Sequence, residues 1–100
     1  MASISSIGTS GMQTAQLRLD ASANNVANMN TPRYQRQVVE QEATPGGAGV
    51  TGSVRRSQEE GVALEQEAVE QMSATYAFKA SLQVVKTQDQ MMGSLLDVKA

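Results

Sequence analysis

Glu65, Glu67 and Glu70 fall within two helical turns of one another, with Glu59 and Glu60 just upstream. Clustered carboxylates are the raw material of cation sites and of acid–base pairs. Here they lack company, because the 100-residue chain holds no histidine and no cysteine. The usual zinc ligands, the thiol nucleophile and the commonest general base are all missing, leaving carboxylates, lysines and hydroxyls. Lys79, Lys86 and Lys99 lie further along, so the glutamates fit more simply as the acidic opening turns of a helix, complementing its macrodipole. Arg55 and Arg56 are balanced by Glu59 and Glu60, and a net charge of -2 with three aromatics argues against nucleic acid as a partner. No Gly-Lys-Ser/Thr follows Gly46, Gly47 and Gly49, so no phosphate loop is present. The sequence therefore predicts no catalytic residue, no metal site and no cofactor.

The other chemically pointed group is the set of amides in Asn24-Asn25-Val26-Ala27-Asn28-Met29-Asn30-Thr31-Pro32-Arg33-Tyr34. Asparagine is a poor interior helix residue because its amide competes for nearby backbone groups, yet it tolerates a left-handed cap. Thr31 precedes Pro32, whose ring disfavours helical backbone there, so a helix arriving from the N-terminus should end at about Asn28 to Asn30. Taken alone, the run fits a frayed helix end with solvated amides. It fits equally a clamp in which Asn24, Asn25 and Asn28 hydrogen-bond to neighbouring helices or to the returning chain.

The elements that must carry these residues follow from periodicity. From Ser3 to about Asn28, Ile4, Ile7 and Gly11 form one row and Met12, Leu19, Ala23 and Val26 another, which predicts a helix. Gly8 and Gly11 each weaken it by about 1 kcal/mol relative to Ala, while Ala15, Ala21, Ala23 and Ala27 would let a second helix approach closely. Between Pro32 and Gly61, Tyr34, Arg36 and Val38 alternate with polar residues, and Val50 to Val54 offers a second extended piece beyond a Gly-rich turn. That middle is compatible with a small hairpin and equally with a disordered loop.

From Gly61 onward a long helix is predicted. One apolar row runs Val69, Met72, Tyr76, Ala80, Val84, Thr87, Met91, Leu95 and Val98, and a second runs Phe78, Leu82, Val85, Met92 and Leu96. Such a helix would be about 55 Å long, more than a compact chain of this size needs. The expected fold class is all-α: long terminal helices packed as an antiparallel coiled-coil-like pair, joined by a Gly-rich middle with room for a short β-hairpin. The expected division is residues 1–30, 31–61 and 62–100. Because a two-helix hairpin needs one apolar seam per helix, the second row of the C-terminal helix is expected to be surplus and open to other copies or other proteins.

Core material is thin. Ile, Leu, Val and Phe make up 19 of 100 residues, close to the level at which a chain struggles to offset its folding entropy alone. The N-terminus has no basic region before a long apolar core, so neither a cleavable signal peptide nor direct membrane insertion is expected. These readings favour a self-assembling or co-assembling rod-like unit, with a cytoplasmic helical adaptor or chaperone compatible with the same pattern. An enzyme is disfavoured because no nucleophile–base pair can be assembled.

Ser10-Gly11-Met12, Gln16-Leu17-Arg18-Leu19-Asp20 and the run from Ala23 to Tyr34 resemble the N-terminal signature of bacterial flagellar rod and hook proteins. Val62 to Val69, Tyr76-Ala77-Phe78-Lys79-Ala80, Val84-Val85-Lys86-Thr87, Met91-Met92 and Leu95-Leu96 are similar to the family's C-terminal helix. The resemblance implies a structural subunit of the flagellar basal-body rod that supports motility. It would be exported unfolded by the flagellar type III apparatus, without a cleaved signal, into the periplasm-spanning rod. Its implied partners are other rod and hook subunits, copies of itself and the export apparatus. The short middle makes it resemble a minimal rod protein. The residues expected at assembly interfaces are Asn24, Asn25, Val26, Asn28, Thr31, Pro32, Tyr34, Val69, Met72, Tyr76, Val84, Met91 and Leu95. One departure stands out: Arg33 occupies the place where the family usually has glycine after the proline. Arginine there either carries backbone strain in a type II turn, selects a type I turn, places a charge at an inter-subunit contact, or marks a divergent paralogue.

Overall fold

Ser3 starts the first helix, its hydroxyl accepting the Ser6 N–H at 3.1 Å, which satisfies one of the donors that a helix N-terminus leaves open. The computed structural model describes residues 3–99, with side chains through 97; Val98 and Lys99, counted above in the apolar row and among the late lysines, have side chains outside the described residues. Helix α1 spans Ile4–Ala27, strands β1 and β2 span Gln35–Ala43 and Val50–Glu60, and helix α2 spans Leu64–Lys99. Helix α1 ends on amides. Asn28 N–H and Nδ2 both donate to the Asn24 carbonyl, and the Thr31 N–H returns to the Asn28 carbonyl at 2.9 Å.

The all-α expectation is wrong for the middle of the chain, where β1 and β2 form an antiparallel hairpin of nine and eleven residues. The pairing runs from Gln35↔Glu60 to Ala43↔Val50. The strands are rich in Gln, Glu, Arg and Ser, which hides the apolar alternation by which strands are recognised. What holds them is the docking of the hairpin along α1. At its far end Ser10 Oγ accepts the Val50 N–H at 3.1 Å. Gly49 there has φ +114 and faces the Ser10 side chain, so a Cβ would be both strained and crowded.

Helices α1 and α2 run antiparallel, since Gly8 lies against Val85, Arg18 against Glu70 and Ser22 against Glu67. Their seam repeats every seven residues: Gly8, Ala15 and Ser22 on α1, with Glu67, Ala74, Ser81 and Gln88 on α2. This is coiled-coil spacing built from small and polar side chains. A Cβ on Gly8 would stand 2.6 Å from Val85 Cγ2 and 3.2 Å from the Ser81 carbonyl, so the glycine sets how closely the helices approach.

Helix α1 is thus the middle layer, with α2 on one side and the hairpin on the other. The fully buried apolar residues among those described are alanines, Ala15, Ala21 and Ala74. The molecule measures 63 × 25 × 14 Å, and its radius of gyration is 17.3 Å, against about 13 Å for a compact chain of this length. Its accessible surface of 7038 Å² exceeds the roughly 5,500 Å² of a compact monomer of equal mass. The chain is a rod with little interior.

The row of α2 taken as surplus divides along its length: Phe78, Leu82 and Val85 are half-buried, while Met92 and Leu96 are exposed, as are Val69, Met72, Tyr76, Val84, Met91 and Leu95 of the other row. A row spaced at 3.6 residues drifts about 20° per heptad from a seam spaced at 3.5, so the two diverge along a long helix.

Candidate functional site

The end of α1, the base of the hairpin and the first turns of α2 meet in a polar clasp. Glu67 is fully buried at 0 % exposure, and Asn25 is 1 % exposed. Glu67 Oε1 accepts Asn25 Nδ2 at 3.1 Å and Arg36 Nε at 2.8 Å, while Oε2 accepts the Ser22 hydroxyl at 2.8 Å. Gln71 Nε2 donates to Ser22 Oγ at 3.1 Å. One turn away Arg18 pairs with Glu70 at 2.6 Å and donates to Ser73 Oγ at 2.9 Å. A carboxylate removed from water survives when a cation and several donors replace its hydration, and this one has both.

Asn25 is the hub of the clasp. Its Oδ1 accepts the Gln37 N–H at 2.6 Å and its Nδ2 donates to the Gln37 carbonyl at 2.9 Å. The side-chain amide therefore engages β1 as a neighbouring strand's backbone would, satisfying an edge that the two-stranded sheet leaves open. The Tyr34 hydroxyl also reaches Asn25 Oδ1, at 3.3 Å, and the Tyr34 ring carries the Arg56 guanidinium 5.4 Å from its centroid. Gly61 N–H closes the hairpin base on the Tyr34 carbonyl at 2.8 Å.

The remaining residues of the amide-rich run do different things. Asn24 is exposed and sits 3.5 Å from Gln37 Oε1, and Asn28 serves the helix end together with Thr31. Val26 is half-buried, and Thr31 and Pro32 are exposed. Arg33 has φ +61 while the Tyr34 N–H bonds back to the Thr31 carbonyl. Of the alternatives for Arg33, the turn takes positive φ at its second central residue, the left-handed backbone that favours glycine.

The apolar residues expected at interfaces lie apart from the clasp. Val69, Met72 and Tyr76 form a patch on α2, with Met72 and Tyr76 72 % and 79 % exposed. Val84, Met91 and Leu95 line a groove of about 440 Å³ with Ile4, where α1 begins and the longer α2 runs past it. Sequence reasoning missed Ser22, Arg36 and Gln37 and read Glu67 as a helix-start carboxylate. Glu67 does lie in the first turn, yet its place in the heptad seam with Ala74 and Ser81 was the available sign that it faces inward. Among the described residues no group of three His, Cys, Asp or Glu side chains converges as metal ligands do, and no helix is long and apolar enough to cross a membrane.

Comparison with known proteins places both ends of the chain. The family described as "Flagella basal body rod protein" matches residues 6–35, which cover α1, the amide-rich run and the turn into β1. The family described as "Flagellar basal body rod FlgEFG protein C-terminal" matches residues 57–98, from the end of β2 through α2. No curated protein matches the chain. Both families are structural components of the flagellum, and the two matches meet across the clasp, where Asn25 of the first contacts Glu67 of the second. The chain is a member of the flagellar basal-body rod and hook protein family.

Proposed function

We propose that the protein is a structural subunit of the basal-body rod, assembled by packing the outer face of α2 on neighbouring subunits. It is exported by the flagellar type III apparatus, takes its place in the periplasm-spanning rod and supports motility. The observation that carries this reading is the placement of the large apolar side chains. Alanines fill the interior, while Val69, Met72, Tyr76, Val84, Met91 and Leu95 stand outside along a rod 63 Å long. A monomer gains nothing from that arrangement, whereas burying such side chains is worth about 1.5–3 kcal/mol each. Six of them outweigh an association cost of about 4–15 kcal/mol only if most are covered together, which points to partners along the whole face.

The small core supports passage of an unfolded chain, since few buried contacts must be broken before export. Other rod and hook subunits and further copies of this chain are the partners, and the residues expected at interfaces fall into groups with different roles. Asn25 and Tyr34 act within the subunit, and the six α2 residues act between subunits.

Electron microscopy of basal bodies from a deletion strain tests the reading. Truncated or missing rods are expected, and intact rods would refute an essential structural role. Fractionation adds a second arm, because a stable cytoplasmic complex with a single client would replace the rod subunit by an adaptor.

A further inference from the structure

The hairpin packs along α1 and not against α2. Among the described residues, its hydrogen-bonded tie to α2 is one interaction, Arg36 Nε to Glu67 Oε1 at 2.8 Å. That tie falls where the β ladder changes register, with Gln35 opposite Glu60 and Gln37 opposite Arg56, so Arg36 has no direct partner across the hairpin. Irregularities of this kind re-aim a side chain, and here the side chain is aimed at Glu67, the fully buried carboxylate among the described residues. We propose that Glu67 is a positioning residue that couples hairpin docking to helix pairing, so that the subunit closes as a single unit with the hairpin in one direction along α1.

The coupling follows from the charges around Glu67. Its hydrogen-bond donors are Asn25 and Ser22 from α1 and Arg36 from β1, and the last is the cation. Arg18 lies nearby, yet its guanidinium is held by Glu70. Were the hairpin to lift away, Glu67 would keep two neutral donors and remain a buried anion in the helix seam, a situation that opens the seam or draws in water. In the other direction, separating α2 leaves Arg36 and Asn25 without their acceptor, and Asn25 is what grips Gln37 beside Arg36. Each docking event therefore favours the other, and such coupling is reciprocal. The tie between α1 and the far end of the hairpin, Ser10 with Val50, has no comparable charge. The inference concerns the single chain and does not depend on the proposed place in the rod.

Native-state hydrogen exchange on the full chain, in an osmolyte that favours compact states, tests this. Arg36→Met should raise exchange about tenfold or more both in the hairpin and in the helix amides flanking Ser22 and Glu67. Adding Glu67→Leu should bring the helix amides back to within about threefold of the parent while the hairpin stays fast. Ser10→Ala should loosen the hairpin tip without touching the seam. Coupling is overturned if Arg36→Met frees the hairpin alone, or if the double variant leaves the seam as open as the single one. Should Arg36→Met be too unfolded to measure, the double variant decides: recovery of a protected seam supports the proposal, and its failure to fold overturns it.

Discussion

Replacing Asn25 with leucine keeps the volume and removes every polar contact at the hub of the clasp. The Nδ2 bond to the buried Glu67 carboxylate at 3.1 Å is charge-assisted, and the paired bonds to Gln37 N–H and carbonyl at 2.6 and 2.9 Å are neutral. At about 2 kcal/mol for the first and about 1 kcal/mol for each of the others, the gross loss is roughly 4 kcal/mol. The Tyr34 hydroxyl can turn to water and adds little. A buried leucine returns about 1–2 kcal/mol of this, leaving a net loss of about 2–3 kcal/mol. That is near half of the roughly 5 kcal/mol at the low end for a chain of 100 residues. Urea unfolding followed by far-UV circular dichroism is the assay. With a slope of about 1.5 kcal/mol per molar, the midpoint should fall by about 1.3–2 M at unchanged slope. Asn25→Asp is the companion variant: it keeps the acceptor for Gln37 N–H but sets a second carboxylate against Glu67, and should be at least as destabilising. An unchanged midpoint for the leucine variant, or a tolerated aspartate, would show that the amide hub is not what holds the junction. In cells, Asn25→Leu should impair assembly more than helix content, and unchanged motility would show that assembly does not depend on the amide hub.

Arg33→Gly should relieve left-handed strain and raise stability by about 0.5–1 kcal/mol, read as a melting temperature higher by about 3–6 °C, and a lowered value would contradict the turn geometry. Gly8→Ala gains about 1 kcal/mol of helix propensity yet sets a methyl against Val85 and the Ser81 carbonyl, so a net loss of about 1–2 kcal/mol is expected in the same unfolding assay. Met72→Asp with Tyr76→Asp touches exposed residues only, and should leave the unfolding free energy from urea within about 0.5 kcal/mol of the parent while abolishing motility. A motile double variant would remove this patch from the assembly surface.

Where α1 stops could be read from the chain because the signals are local: a proline, the residue before it, and asparagines able to cap a helix. The length of α2 was legible for the same reason, in a run without proline. The extent of the hairpin was not. Its pairs, such as Gln37 with Arg56 and Glu40 with Ser53, join polar residues far apart in sequence, and such strands acquire their stability from the surface they dock on.

The choice of seam belongs to tertiary structure as well. Hydrophobicity points to the row of Val, Met, Tyr and Leu as the inner face of α2, whereas close approach at Gly8 and Ala15 selects the row of Glu67, Ala74 and Ser81. Two helices whose contact residues are small can come near enough for their backbones and polar groups to fill the space, and the large side chains are then left outside. The sequence by itself determined two long helices, a break at the amides and a family likeness, because each rests on neighbouring residues or on a linear motif. Only the folded chain decided that Arg36 and Asn25 reach Glu67 from two other elements and that Val69, Met72 and Tyr76 face outward, because those depend on distances across α1 that no spacing along the chain encodes.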